Sequence, residues 1–209
     1  MTPPPPAAPG SSGGTSPTLL ARLRAADAGA WERLVHVYSP LVFGWCRRAG
    51  LAAEDAADVM QDVWAAVAVA VPRFDHAAPG ATFRGWLYTV TRSKIADHHR
   101  KLAARPVAEG GSTAHGRWAE LPELEPEASR ADTATGTAGV MRRAVELIRG
   151  DFDPATFKAF WATAVEGRAA ADVAAELGVS AAVVYQSKSR VLRRLRTEFE
   201  GLLPPDRAC

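Results

Sequence analysis

The stretch AADVAAELGVSAAVVYQSK, residues 170–188, decides how this chain is read. Val173, Ala174 and Leu177 recur at helical spacing, Gly178-Val179-Ser180 interrupts them, and Val184 opens a second inward row. Gly178 can take the left-handed backbone that ends one helix, and Ser180 can cap the next. Ala174 is small enough for the two helices to cross closely, and Val179 and Val184 are expected to close a small core. Two helices joined in this way form a helix-turn-helix, which presents its second helix to a major groove of duplex DNA.

The phase of that second helix follows from its apolar row. With Val184, Val191 and Leu195 inward, helical geometry puts Ala182, Gln186, Ser189 and Arg193 on the opposite side, flanked by Tyr185, Arg190 and Arg196. Between residues 186 and 196 the charges are Lys188, Arg190, Arg193, Arg194 and Arg196, with no acid among them, which suits contact with phosphates. The plainer alternative is a solvated face on an ordinary helical hairpin, so the rest of the chain has to discriminate.

Bulk properties exclude more than they assert. The 209 residues suit one ordinary domain or two small ones, and a net charge of +2 does not by itself mark a nucleic-acid binder. Cys46 and Cys209 form neither a disulfide framework nor a zinc-ligand spacing, which fits a reducing compartment. Residues 1–17 are rich in Pro, Gly, Ser and Thr, lack basic residues and do not read as a secretory signal peptide; a disordered tail is expected. The longest apolar run, residues 64–72, is well short of the roughly 20 a bilayer span requires. A cytoplasmic protein with no membrane insertion is expected.

Helical spacing dominates residues 18–104, as in Leu34, Val37, Tyr38, Leu41, Val42 and Trp45, and no strand-like alternation of useful length occurs. Pro40 predicts a kink or a fresh start within that helix, and Gly50 a stop. Glu54 and Asp55 open a helix that runs to about Val71, before Pro72, and Thr82 caps another over residues 83–102. Residues 105–139 lose the periodicity and read as a flexible linker. It resumes over residues 140–203, with Pro154 in the first turn of a helix bearing Phe157, Phe160 and Trp161, then helices over residues 169–177 and 181–202. The expected fold is all-α, two small helical domains on a tether.

The first domain carries two further features. Asp55, Asp58, Gln61 and Asp62 form an acidic face backed by Val59, Val63 and Val67, which a simple solvated amphipathic helix would also explain. Phe83-Arg84-Gly85-Trp86-Leu87-Tyr88 is followed by Arg92, Lys94, His98, His99, Arg100, Lys101 and Arg105, and aromatics interleaved with cations suit single-stranded bases and their backbone. Core packing competes for the same aromatics, and Trp86 and Leu87 are expected inside. Adjacent His98 and His99 point about 100° apart on a helix and cannot share one ion from one face. With no phosphate loop or nucleophile motif either, neither an enzyme nor a cofactor is expected.

These motifs, in this order, resemble the extracytoplasmic-function (ECF) RNA polymerase sigma factors. Asp58-Val59-Met60-Gln61-Asp62-Val63-Trp64 resembles that family's polymerase-clamp-binding helix, and residues 83–100 its segment for promoter melting and recognition of the proximal element. Residues 157–203 resemble its C-terminal helix-turn-helix, so that sigma region 2 would span 18–104 and sigma region 4 would span 140–203. The resemblance implies core RNA polymerase and promoter DNA as partners; relatives are often held inactive by an anti-sigma protein, a third class of partner. It places Asp58, Gln61 and Asp62 on the polymerase clamp, and Arg84, Arg92, Ser93, Asp97, His98, Arg100 and Lys101 along the DNA-facing segment. Relatives commonly have asparagine where Ser93 stands, an apolar residue where His99 stands, a Ser-Arg pair where Gln186-Ser187 occurs and leucine where Lys188 occurs. The nearest rival reading is a conventional helix-turn-helix regulator whose first domain senses a ligand or dimerises.

Overall fold

The computed structural model describes residues 17–103 and 136–203, so the expected tail and linker fall almost wholly outside the described residues. All regular structure among the described residues is helical. The first half holds α1 (Leu19–Arg24), α2 (Ala28–Arg48), α3 (Ala53–Ala70) and α4 (Phe83–Ala103). The second holds α5 (Thr137–Leu147), α6 (Pro154–Ala164), α7 (Ala170–Leu177) and α8 (Ala181–Glu198).

Local chemistry sets most of the boundaries. Thr18 caps α1, and Asp27 caps α2 by accepting from the Ala30 N–H at 2.9 Å. Pro40 neither breaks α2 nor restarts it; the helix runs through, because Val37, Tyr38, Leu41 and Val42 on both sides are buried and hold the register. Glu54 and Asp55 lie in the first turn of α3, and Pro72 lies in the short 3-10 turn Val71–Arg73 that ends it. Thr82 Oγ1 accepts from the Gly85 N–H at 3.1 Å at the start of α4, as the sequence indicates. Asp153 caps α6, whose first residue is Pro154. Helix α5 begins at Thr137, inside the stretch read as linker, since its buried face includes Gly139 as well as Val140. Helix α8 ends at Glu198, short of the residue 202 expected, although Phe199 and Leu202 stay buried beyond it.

The core has two parts. A small one, formed by Ala159, Ala162, Val173, Ala174 and Val184, joins α6, α7 and the first turns of α8. The large one runs through both halves of the chain, from Leu34, Tyr38 and Leu87 to Val140, Ile148, Phe160, Val191 and Leu195. Polar links cross the same seam. Arg143 donates from Nε to the Val37 carbonyl at 2.8 Å, and the Tyr38 hydroxyl, kept protonated by burial, donates to the Leu202 carbonyl. Glu198, 3% exposed, meets Arg33 at 2.9 Å, Arg194 at 2.8 Å and Arg22 at 3.6 Å. An acid in a basic amphipathic helix reads as a surface residue; its arginine partners on α1 and α2 are too distant in sequence to show otherwise.

Candidate nucleic-acid interface

Helix α7 ends in a turn that only a few residues accept. Gly178 has φ +66° and ψ +30°, the left-handed conformation, and a Cβ built there would meet nothing within 4 Å. Ser180 then caps α8, its Oγ accepting from the Val183 N–H at a long 3.4 Å. Glu176 fixes α7 against α6 and the intervening turn, pairing with Lys158 at 2.8 Å and Arg168 at 2.6 Å. Hydrogen bonds from Lys158, then Arg168, hold its carboxyl down at about 2. Val184 is buried as expected, but Val179 is 38% exposed: it belongs to the turn, outside the helical phase, and Ala159 and Ala162 close the small core in its place.

On α8 the inward row is Val184, Ser187, Val191 and Leu195, with the Ser187 hydroxyl donating to the Val183 carbonyl at 2.9 Å. Ala182, Tyr185, Gln186, Ser189, Arg190, Arg193 and Arg196 are all exposed, so the phase read from the sequence holds along the whole helix. Arg194 differs from its neighbours: it turns inward onto Asp151 and Glu198, both at 2.8 Å, and belongs to the seam between the halves.

The first half presents its residues differently. Asp58, Gln61 and Asp62 are exposed along one side of α3, over buried Val59 and Val63. On α4, Arg92, Ser93, Arg100 and Lys101 are exposed, while Phe83, Leu87, Thr91 and Ile95 are buried. Arg84 is half-buried and donates to the Thr137 hydroxyl at 2.9 Å, the first residue of α5. Asp97 takes Arg100 and, at 3.8 Å, Lys94; His98 lies 3.6 Å from Asp55, and Lys101 lies 3.8 Å from Asp62. The last pair joins one residue assigned to the polymerase with one assigned to DNA; with both well exposed it is a weak link that a partner can replace. His99 is half-buried, and burial first, then neighbouring His98, lowers its pKa below the usual imidazole value, so it is neutral at pH 7. The aromatics are mostly core: Phe83 packs between Tyr38 and Phe74, Trp86 is half-buried on Phe74 and Phe83, and Tyr88 meets Trp45.

The Sigma-70 region 2 family model matches residues 34–105, which take in most of α2, all of α3 and all of α4. The ECF RNA polymerase sigma factor SigD of Mycobacterium tuberculosis is 30% identical over 189 residues, covering 87% of this chain and 82% of that protein. SigD of Mycobacterium bovis matches to the same extent. The chain belongs to the ECF RNA polymerase sigma factors. It is therefore an alternative sigma factor, a non-enzymatic transcription initiation factor that works with core RNA polymerase and promoter DNA. Among solved structures, CnrH in complex with the cytosolic domain of CnrY is similar at 23% identity and a TM-score of 0.35, covering 85% of this chain and 92% of that one.

For this sigma factor the matched segment contains Asp58, Gln61 and Asp62 and every candidate of α4, whereas the α8 candidates lie outside it. One exposed residue near the α8 candidates escaped the sequence reading: Val183, 43% exposed. Its position off the central outward strip explains why. No helix among the described residues is long and apolar enough to cross a membrane, and no group of His, Cys, Asp or Glu among them is placed to hold a metal ion.

Proposed function

We propose that this sigma factor divides its work among three faces. Asp58, Gln61 and Asp62 on α3 bind the clamp of core RNA polymerase. The α4 segment with Arg84, Arg92, Ser93, Asp97, His98, Arg100 and Lys101 meets the proximal promoter element as it melts. Helix α8 enters the major groove of the distal element, with Ala182, Tyr185, Gln186 and Ser189 toward base edges and Arg190, Arg193 and Arg196 toward phosphates. The two halves act as domains spanning 18–104 and 140–203, and the work is done in the cytoplasm, where polymerase and promoters are. The observation that carries this reading is the outward strip of α8, an exposed run of hydrogen-bonding and basic side chains on a helix anchored along its other side.

The α3 assignment has a direct test. Asp58, Gln61 and Asp62 are changed together to alanine, and affinity for purified core polymerase is measured beside unfolding free energy. Core binding is expected to weaken, while stability moves by less than about 0.5 kcal/mol, since the three side chains are on the surface. Unchanged core affinity would remove the assignment.

A further inference from the structure

Helix α1 precedes the segment that matches the family model, yet one of its side chains acts on the start of α4 through a single ring. We propose that Arg24 is a positioning residue for promoter melting: it holds the Phe74 carbonyl, and Phe74 in turn sets the exposed side of Trp86. The proposal rests on the reading of α4 as the segment that meets the proximal element as it melts.

Phe74 is where the chain leaves the 3-10 turn Val71–Arg73 for the loop of residues 75–82, and its backbone is extended, with φ −67° and ψ 118°. A carbonyl at such an exit has no helical partner and needs a donor. Arg24, in the last turn of α1, supplies it: Nη2 donates to the Phe74 carbonyl at 2.7 Å. Helix α1 does not depend on this bond to dock, because Leu19, Leu20 and Leu23 already bury its inner side. What the bond fixes is the position of Phe74.

The Phe74 ring centroid lies 5.5 Å from that of Phe83 and 5.1 Å from that of Trp86, and Phe83 and Trp86 stand 5.4 Å apart. Phe74 and Phe83 are buried, so Trp86 alone of the three keeps a partly exposed side. Phe74 and Trp86 together line a cleft of about 500 Å³, with Arg73 and Thr82 also on its wall. Aromatic faces beside cations are what the unstacked bases of a melted strand meet. Freeing the Phe74 carbonyl lets its ring shift, and the tilt of Trp86 and the wall of the cleft shift with it.

The test uses holoenzyme assembled from core polymerase and the full chain, on a promoter from which it starts transcription. One probe is the distal element as duplex; the other adds the single-stranded non-template strand of the proximal element. Arg24→Ala should weaken binding to the extended probe about three- to tenfold and leave the duplex probe and the affinity for core unchanged. Permanganate reactivity of thymines in the opened promoter should fall in parallel. Arg24→Lys, which keeps a cationic donor, should recover most of the loss. Arg47→Ala removes a bond of the same kind at the end of α2, from Arg47 Nη1 to the Leu51 carbonyl at 2.6 Å, and should leave the ratio of the two probes as it is. If the unaltered holoenzyme gains nothing from the single strand, the reading of α4 falls and the proposal with it. If it does gain, and Arg24→Ala keeps that gain or loses equally on both probes, only the role of Arg24 is overturned. Arg24 is exposed, so its variants are expected to fold, and their unfolding curves verify it.

Discussion

Helices α4 and α8 are both basic and both face promoter DNA in our proposal, yet they hold their charges in opposite ways. Helix α8 buries one row, Val184, Ser187, Val191 and Leu195, and leaves its other side open. Helix α4 packs against both α2 and α3 and touches the start of α5 through Arg84. Its charged groups are correspondingly engaged within the protein: Lys94 and Arg100 with Asp97, His98 with Asp55, Lys101 with Asp62. On α8, Arg190 and Arg193 stand exposed on the open side; on α4, Lys94, Arg100 and Lys101 must exchange internal partners for a nucleic acid.

The contrast can be broken most severely at the inner end of α8. Glu198 is buried among Arg22, Arg33 and Arg194, and removing it leaves three partly buried cations without their common acceptor. Glu198→Ala should lower the unfolding free energy by about 3 kcal/mol in urea denaturation. Arg193→Ala, on the outer side, should change it by less than about 0.5 kcal/mol. Equal effects would mean that the inner and outer sides of α8 do not differ as described.

A smaller effect sharpens the account of α4. Asp97→Asn removes the acid that Lys94 and Arg100 share, a surface arrangement whose loss should cost at most about 1 kcal/mol of stability. Promoter binding by the holoenzyme should then depend more steeply on salt, by about one unit of slope for each cation that reaches a phosphate. An unchanged slope would place these side chains away from the DNA backbone.

Such differences also mark what could be read in the sequence. The α7–α8 turn was legible because its determinants are local: Gly178 needs the left-handed backbone and Ser180 caps the helix it precedes. The outward strip of α8 followed from one apolar row. Val179 did not, because a turn residue has no helical phase, and it came out exposed. Pro40 suggested a break that tertiary packing overrides, since buried residues on both sides hold α2 in register. The seam between the halves was invisible. Arg22 and Arg33 are far from Glu198 in sequence, as Arg84 is from Thr137, and no periodicity reports such pairs. On α4 the motif showed which residues are basic or aromatic, but the depth of Phe83, Trp86 and Tyr88 depends on rings supplied by Tyr38, Phe74 and Trp45.

The most direct test of initiation through two promoter blocks is to sequence RNA 5′ ends made by core polymerase on genomic DNA, with and without the full chain. The protein should create a discrete set of starts, each preceded by a shared proximal block and a shared distal block. Starts that are unchanged by the protein, or that share no upstream sequence, would contradict it.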